Sequence, residues 1–133
     1  MELTIAIFVL LAMLYCHVLE DFHLQGCLAF MKQKKWWDDN EPNRLYRYDY
    51  ISSLIMHSIG WTTLIMAPLM VLMLMCHAPI IVAFSVAWML NAIIHAITDH
   101  LKANVECISL FTDQYVHFAQ IFITWIIITI MCL

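Results

Sequence analysis

The run Asn91-Ala92-Ile93-Ile94-His95-Ala96-Ile97-Thr98-Asp99-His100-Leu101-Lys102 closes a long apolar stretch, and its reading decides the fold. The apolar run predicts a helix. On that helix His95 and Asp99 stand four residues apart, so they share a face, one turn above the other. Asn91 lies one turn earlier on the same face. An imidazole stacked on a carboxylate is half of a metal-binding site. The unit occurs twice more, as His17-x-x-x-Asp21 and, reversed, as Asp113-x-x-x-His117. His57 stands by itself in a further apolar segment.

What surrounds these residues is apolar. Of 133 residues, 64% are hydrophobic and only 12% charged, too few charges to cover a water-facing surface. The mean hydropathy of +0.83 points the same way. The length suits a single domain, 1–133, and the composition predicts an integral membrane one. A net charge of −4 without a dense basic patch argues against nucleic-acid binding. Five scattered cysteines, none in a C-x-x-C pair, argue against a disulfide framework or a zinc ribbon. The opening Met1-Glu2 carries no positive charge and no small-residue cleavage site follows, so a cleaved signal peptide is not expected.

The expected fold is all-α, a four-helix transmembrane bundle. A span needs roughly 20 apolar residues, which sets helices at about 3–31, 50–75, 79–102 and 111–133, with an interfacial loop at about 32–49. Lys32-Gln33-Lys34-Lys35-Trp36-Trp37 reads as a basic and aromatic membrane boundary. Pro42 suits the first turn of a short surface helix, Pro68 predicts a kink, and Pro79 suits the start of the third span. Lys32, Lys34, Lys35, Arg44 and Arg47 lie in the first loop and Lys102 at the third. The positive-inside tendency then puts both loops in the cytoplasm and both termini on the non-cytoplasmic side.

Charge in hydrocarbon is costly, so ionisable groups in every span need a reason. By helical rise, His57 and His95 lie about 10 Å, and Asp99 about 5 Å, inside the cytoplasmic boundary. Asp113 and His117 occupy the first two turns of the last span. All four helices thus place ionisable groups in one layer. A single buried polar residue usually does no more than hydrogen-bond its neighbours. Three pairs and a further imidazole at one depth predict a metal centre made of His17, Asp21, His57, His95, Asp99, Asp113 and His117. Mixed imidazole and carboxylate donors suit one or two divalent transition-metal ions, zinc first, with manganese or iron as alternatives. Asp21, Asp99 and Asp113 are also the candidate catalytic carboxylates, and Glu20 is a further candidate base. Asn91, Gln25, Ser53 and Gln120 repeat the spacing and are candidates to orient the ligands; Asp49 is a candidate outer ligand. His23, His77 and His100 fall off the stripe. Lys102 is the candidate contact for an anionic substrate.

The pattern His17-x-x-x-Asp21-Phe22-His23-Leu24-Gln25, His57, His95-x-x-x-Asp99-x-x-Lys102 and Asp113-Gln114-x-x-His117 resembles domain-of-unknown-function family 3307 across all four helices. That resemblance implies a small bacterial or phage integral membrane protein. A looser similarity links the chain to bacterial inner-membrane proteins labelled metal-dependent hydrolases, which also carry intramembrane His and Asp.

The expected function is hydrolysis of a membrane lipid or lipid-linked phosphoester at the cytoplasmic leaflet of a bacterial inner membrane. A protease is disfavoured, since H-E-x-x-H is absent from the sequence. Alternatives are a proton or ion translocator using the same residues, or a non-catalytic phage or bacterial membrane factor. A homo-oligomer is compatible with any of them. A metal centre further requires the donors to crowd one void, with neighbours roughly 3–4 Å apart. The void is expected to open near Lys102 and the basic first loop.

Overall fold

The computed structural model describes residues 3–77 and 79–132. Met1 and Glu2, Ala78 of the second connection and Leu133 at the end of the last expected span lie outside the described residues. Helix α1 (Leu3–Leu19) runs into a π-helical turn, Glu20–Leu24. Two short helices follow, α2 (Leu28–Met31) and α3 (Lys34–Asn40), then a 3₁₀ turn at Arg44–Tyr46. Three long helices complete the chain: α4 (Asp49–Met75), α5 (Ile81–Ala103) and α6 (Leu110–Met131). Four helical segments are long and apolar enough to cross a membrane: Leu3–Leu24, Arg44–Met75, Ile81–Ala103 and Leu110–Met131. The described residues contain helices and turns but no strand.

The bundle is apolar outside and holds a cluster of buried polar groups inside. Phe8, Val82, Phe111 and Ile123 are among many large apolar side chains left exposed, whereas His17, His57, His95, His117, Asp99 and Asp113 are buried. A water-soluble protein does not expose apolar surface on this scale. Hydrocarbon tolerates it, because each helix satisfies its own backbone polar groups.

α4 packs against α1, α5 and α6. Its C-terminal half builds an apolar core with Ile65, Met66, Leu69, Leu72 and Met73, joined by Met13, Ile121 and Ile128. Its N-terminal half faces the buried polar groups. Trp61 stands at the border between the two halves. Elsewhere Trp125 Nε1–H donates to the Ala6 carbonyl at 2.8 Å, tying α6 to α1.

Three local expectations are corrected. The first segment is not one helix to Met31. It widens at Glu20, where the Gln25 N–H reaches the Glu20 carbonyl at 3.1 Å, and turns at Gly26, whose φ of +51° is left-handed. Glycine takes that conformation without a Cβ clash. Pro42 does not open a surface helix; it follows one. α3 forms earlier, supported by a Lys34–Asp38 pair one turn apart, and Pro42 pushes Glu41 out of helical geometry, to φ −135° and ψ 70°. Pro79 precedes α5 by two residues, since the helix begins at Ile81. Pro68 sits inside α4, which continues through it to Met75.

Candidate metal centre

Each helix delivers its polar groups by simple periodicity. On α5 the buried face carries Asn91, His95 and Asp99. On α6 it carries Asp113, His117, Gln120 and Thr124. Ser109 caps α6 by accepting from the Thr112 N–H at 3.1 Å, so Asp113 falls in the first turn, where the helix dipole favours a carboxylate. α4 supplies His57 and, one turn on, Trp61. α1 supplies His17, and the π-helical turn buries Glu20 and Asp21 together. Gly60 on α4 leaves room for Glu20, because a Cβ there would lie 3.1 Å from Glu20 Oε1.

Three imidazoles and three carboxylates meet at the centre. His57 Nε2 lies 3.2 Å from His95 Nε2, 3.3 Å from Asp99 Oδ2 and 3.4 Å from Asp21 Oδ1. His95 Nε2 is 3.7 Å from Asp99 Oδ2. His117 Nε2 is 3.5 Å from both Asp99 Oδ1 and Asp113 Oδ1. Asp99 therefore spans the site, one oxygen toward His57 and His95, the other toward His117. Two sets of donors lie close enough to share an ion: Asp21, His57 and His95, and His95, Asp99 and His117.

Hydrogen bonding alone does not satisfy this cluster. One N–H on His57 Nε2 cannot serve three neighbours. His117 Nδ1 is 3.4 Å from Gln120 Oε1, yet its Nε2 is buried without a hydrogen-bond partner, as are Asp113 Oδ1, His57 Nδ1 and His95 Nδ1. A buried orphan polar group costs about 1–3 kcal/mol. A cation at His117 Nε2 would remove that cost there, while His57 and His95 turn their Nε2 atoms, not the orphan Nδ1 atoms, to the cluster. The spacing suits one too: four donors about 2.1 Å from a zinc ion stand about 3.4 Å from each other. The buried His and Asp groups can hold a metal ion.

His17 is not among the donors, contrary to expectation. The Trp61 indole donates to His17 Nδ1 at 2.9 Å. Indole is a donor only, so Nδ1 carries no proton and is already engaged. The proton is then on Nε2, which donates to Gln114 Oε1 at 3.0 Å. Gln114 Nε2 in turn donates to Asp21 Oδ2 at 2.9 Å and Asp113 Oδ2 at 3.1 Å. His17 thus orients the amide that orients two carboxylates. Trp61 also stacks on His95, with ring centroids 4.1 Å apart.

The expected mouth beside Lys102 is also corrected. None of His17, Asp21, His57, His95, Asp99, Asp113 and His117 is more than 7% exposed. Lys102 donates to Asp113 Oδ2 at 2.9 Å, and Lys32 to Asp99 Oδ2 at 2.6 Å. Buried carboxylates without counter-charge are too costly, so the ammoniums fold in over them. A large cleft, about 350 Å³, lies instead between α5 and α6 and is apolar apart from residues such as Asn91, Gln120 and Thr124.

The remaining candidates divide. Glu20 Oε1 lies 3.5 Å from His57 Nδ1 and belongs to the site. Asn91 and Gln120 hydrogen-bond each other at 3.2 Å beside His117, and Asn91 also donates to Thr124. The Gln25 side chain bonds the Asp21 carbonyl. Ser53 bonds the Asp49 carbonyl of its own helix, and Asp49 stands at the start of that helix away from the donors. His23 and His77 are exposed, and His100 stacks on Tyr50. Sequence reading missed Lys32 and Trp61 and gave Gln114 no role of its own. Trp61 had a signal, one turn from His57; Lys32 read as a boundary lysine because its return depends on the turn at Gly26.

Comparison with protein-family models, with curated proteins and with solved structures gave no match. Fold and site define a class: an all-helical chain with four helices able to cross a membrane and a buried His/Asp cluster able to hold a metal ion.

Proposed function

We propose that this chain is a membrane-embedded metal-dependent hydrolase acting on a lipid-linked phosphoester at the cytoplasmic leaflet. One observation carries the reading: imidazole and carboxylate donors from all four membrane-length segments converge within 3.2–3.7 Å, with His117 Nε2 and Asp113 Oδ1 buried there and unpaired. His57, His95, His117, Asp21 and Asp99 would hold the metal. A divalent ion held there supplies Lewis acidity and lowers the pKa of water. Asp113, with one oxygen unpaired, and Glu20, beside His57, are placed to accept a proton. Lys32 and Lys102 bring positive charge to the same end, which suits an anionic substrate. In this reading the basic loops face the cytoplasm, and the resemblance to family 3307 points to a bacterial or phage membrane.

A proton or ion translocator is the second reading, favoured by the complete burial of the donors, since a relay needs no substrate mouth. The two separate by metal content. Protein purified in detergent without chelators is expected to carry about one or two equivalents of zinc, manganese or iron. His95→Ala removes a member of both donor sets and is expected to abolish retention. Metal-free, fully folded wild-type protein, with proton transport in vesicles, would replace the hydrolase by the translocator.

A further inference from the structure

We infer that Lys32 is the resident counter-cation of the centre, holding Asp99 until a metal ion takes its place and thereby setting how tightly metal binds. The inference rests on the metal-centre reading above. Lys32 Nζ lies 2.6 Å from Asp99 Oδ2, and its side chain is only 10% exposed. The same oxygen lies 3.3 Å from His57 Nε2 and 3.7 Å from His95 Nε2. An ion at the His95, Asp99 and His117 donor set takes Asp99 as a ligand, and the ammonium already holds one oxygen of that carboxylate. An ammonium has donors and no acceptor, so it cannot bridge to a metal; it can only repel one.

Lys102 makes the contrast. It takes Asp113 Oδ2 at 2.9 Å, its side chain is 32% exposed, and Asp113 Oδ1 stays free toward His117. Metal entry at the His95, Asp99 and His117 set meets Lys32 on Asp99 but leaves the Lys102 pair in place.

The fold lets Lys32 leave without unfolding anything. Asn104 at the end of α5 clamps the backbone from both sides, accepting from the Lys34 N–H at 2.6 Å and donating to the Lys32 carbonyl at 3.0 Å. The backbone is therefore fixed, so an outward swing would need only rotation of the four-carbon side chain. Displaced, the ammonium becomes a tethered positive charge at the rim of the metal centre, where a phosphoester would meet it.

The test is titration of detergent-purified protein with zinc against a fluorescent chelator, for wild type, Lys32→Gln, Lys32→Arg and Lys102→Gln. Removing a like charge beside the ion should tighten zinc binding about tenfold or more in Lys32→Gln. Lys32→Arg should stay near wild type, and Lys102→Gln should tighten far less than Lys32→Gln. As a readout independent of the folding of Lys32→Gln, wild-type protein is also acylated with an amine reagent and Lys32 quantified by mass spectrometry, with and without zinc. Lys32 modification should rise severalfold when zinc is present. Equal or weaker zinc binding by folded Lys32→Gln, or Lys32 acylation that is unchanged or lowered by zinc, overturns the inference while leaving the metal centre standing. If no folded sample binds zinc, the centre and the inference fall together.

Discussion

Trp61 leaves His17 one hydrogen-bonding role, and the consequence runs through Gln114 to two carboxylates. The amide orientation follows, because reversing Gln114 would set its oxygen against Asp21 and Asp113. Partners that orient metal ligands typically matter by about 10- to 100-fold in affinity. Gln114→Leu is therefore expected to weaken zinc binding by about that factor with the helical content retained, as read by chelator competition and circular dichroism. Unchanged affinity would mean that the carboxylates need no such orientation. At this scale the sequence was informative about pairs and silent about roles. His17-x-x-x-Asp21 has the same spacing as His95-x-x-x-Asp99, yet His95 faces the donors and His17 faces an indole and an amide. Spacing along a helix says which residues share a face, not what the opposite helix presents to it.

The element that departs most from expectation is the end of the first segment. A π-helical turn buries Glu20 beside Asp21, and the left-handed Gly26 starts the turn that returns Lys32 to Asp99. Such π-turns are frequent at functional sites. A Cβ at Gly26 would meet nothing closer than 3.7 Å, so the cost of a side chain there is conformational rather than steric crowding. Gly26→Ala is expected to destabilise the protein by about 1–2 kcal/mol, measured by equilibrium unfolding in detergent. The same variant should loosen the Lys32–Asp99 contact and raise acylation of Lys32. A stability equal to wild type would show that the turn is not held in the left-handed form. The sequence contained the glycine but not its φ, since an isolated Gly after a long apolar run serves equally well inside a helix.

For the whole molecule, the exterior is apolar where a soluble bundle's is polar, and the distribution of lysine and arginine proposes its direction. Two native cysteines test that direction with little disturbance. Cys76 lies at the α4–α5 turn and Cys107 in the α5–α6 loop, both exposed. In chains keeping only one of them, a membrane-impermeant thiol reagent applied to intact cells should label Cys76 and spare Cys107 until the cells are permeabilised. The opposite pattern reverses the proposed orientation, and with it the leaflet at which substrate would be met.

The apolar spans, and the layer of ionisable groups they carry, were determined by the sequence alone. Both follow from local rules: the length of apolar run a bilayer needs and the helical repeat. Even the convergence was hinted at, because agreement in depth is one coordinate out of three. The other two, rotation about each helix axis and the path of the chain between helices, are set by packing between residues far apart in sequence. They decided that His17 serves Gln114, that Glu20 turns inward against Gly60, and that Lys32 crosses to Asp99, 67 positions away. Only the tertiary structure decides whether a buried carboxylate meets an imidazole or an ammonium, because the cost of leaving it unpaired is settled by whichever partner packing brings within reach.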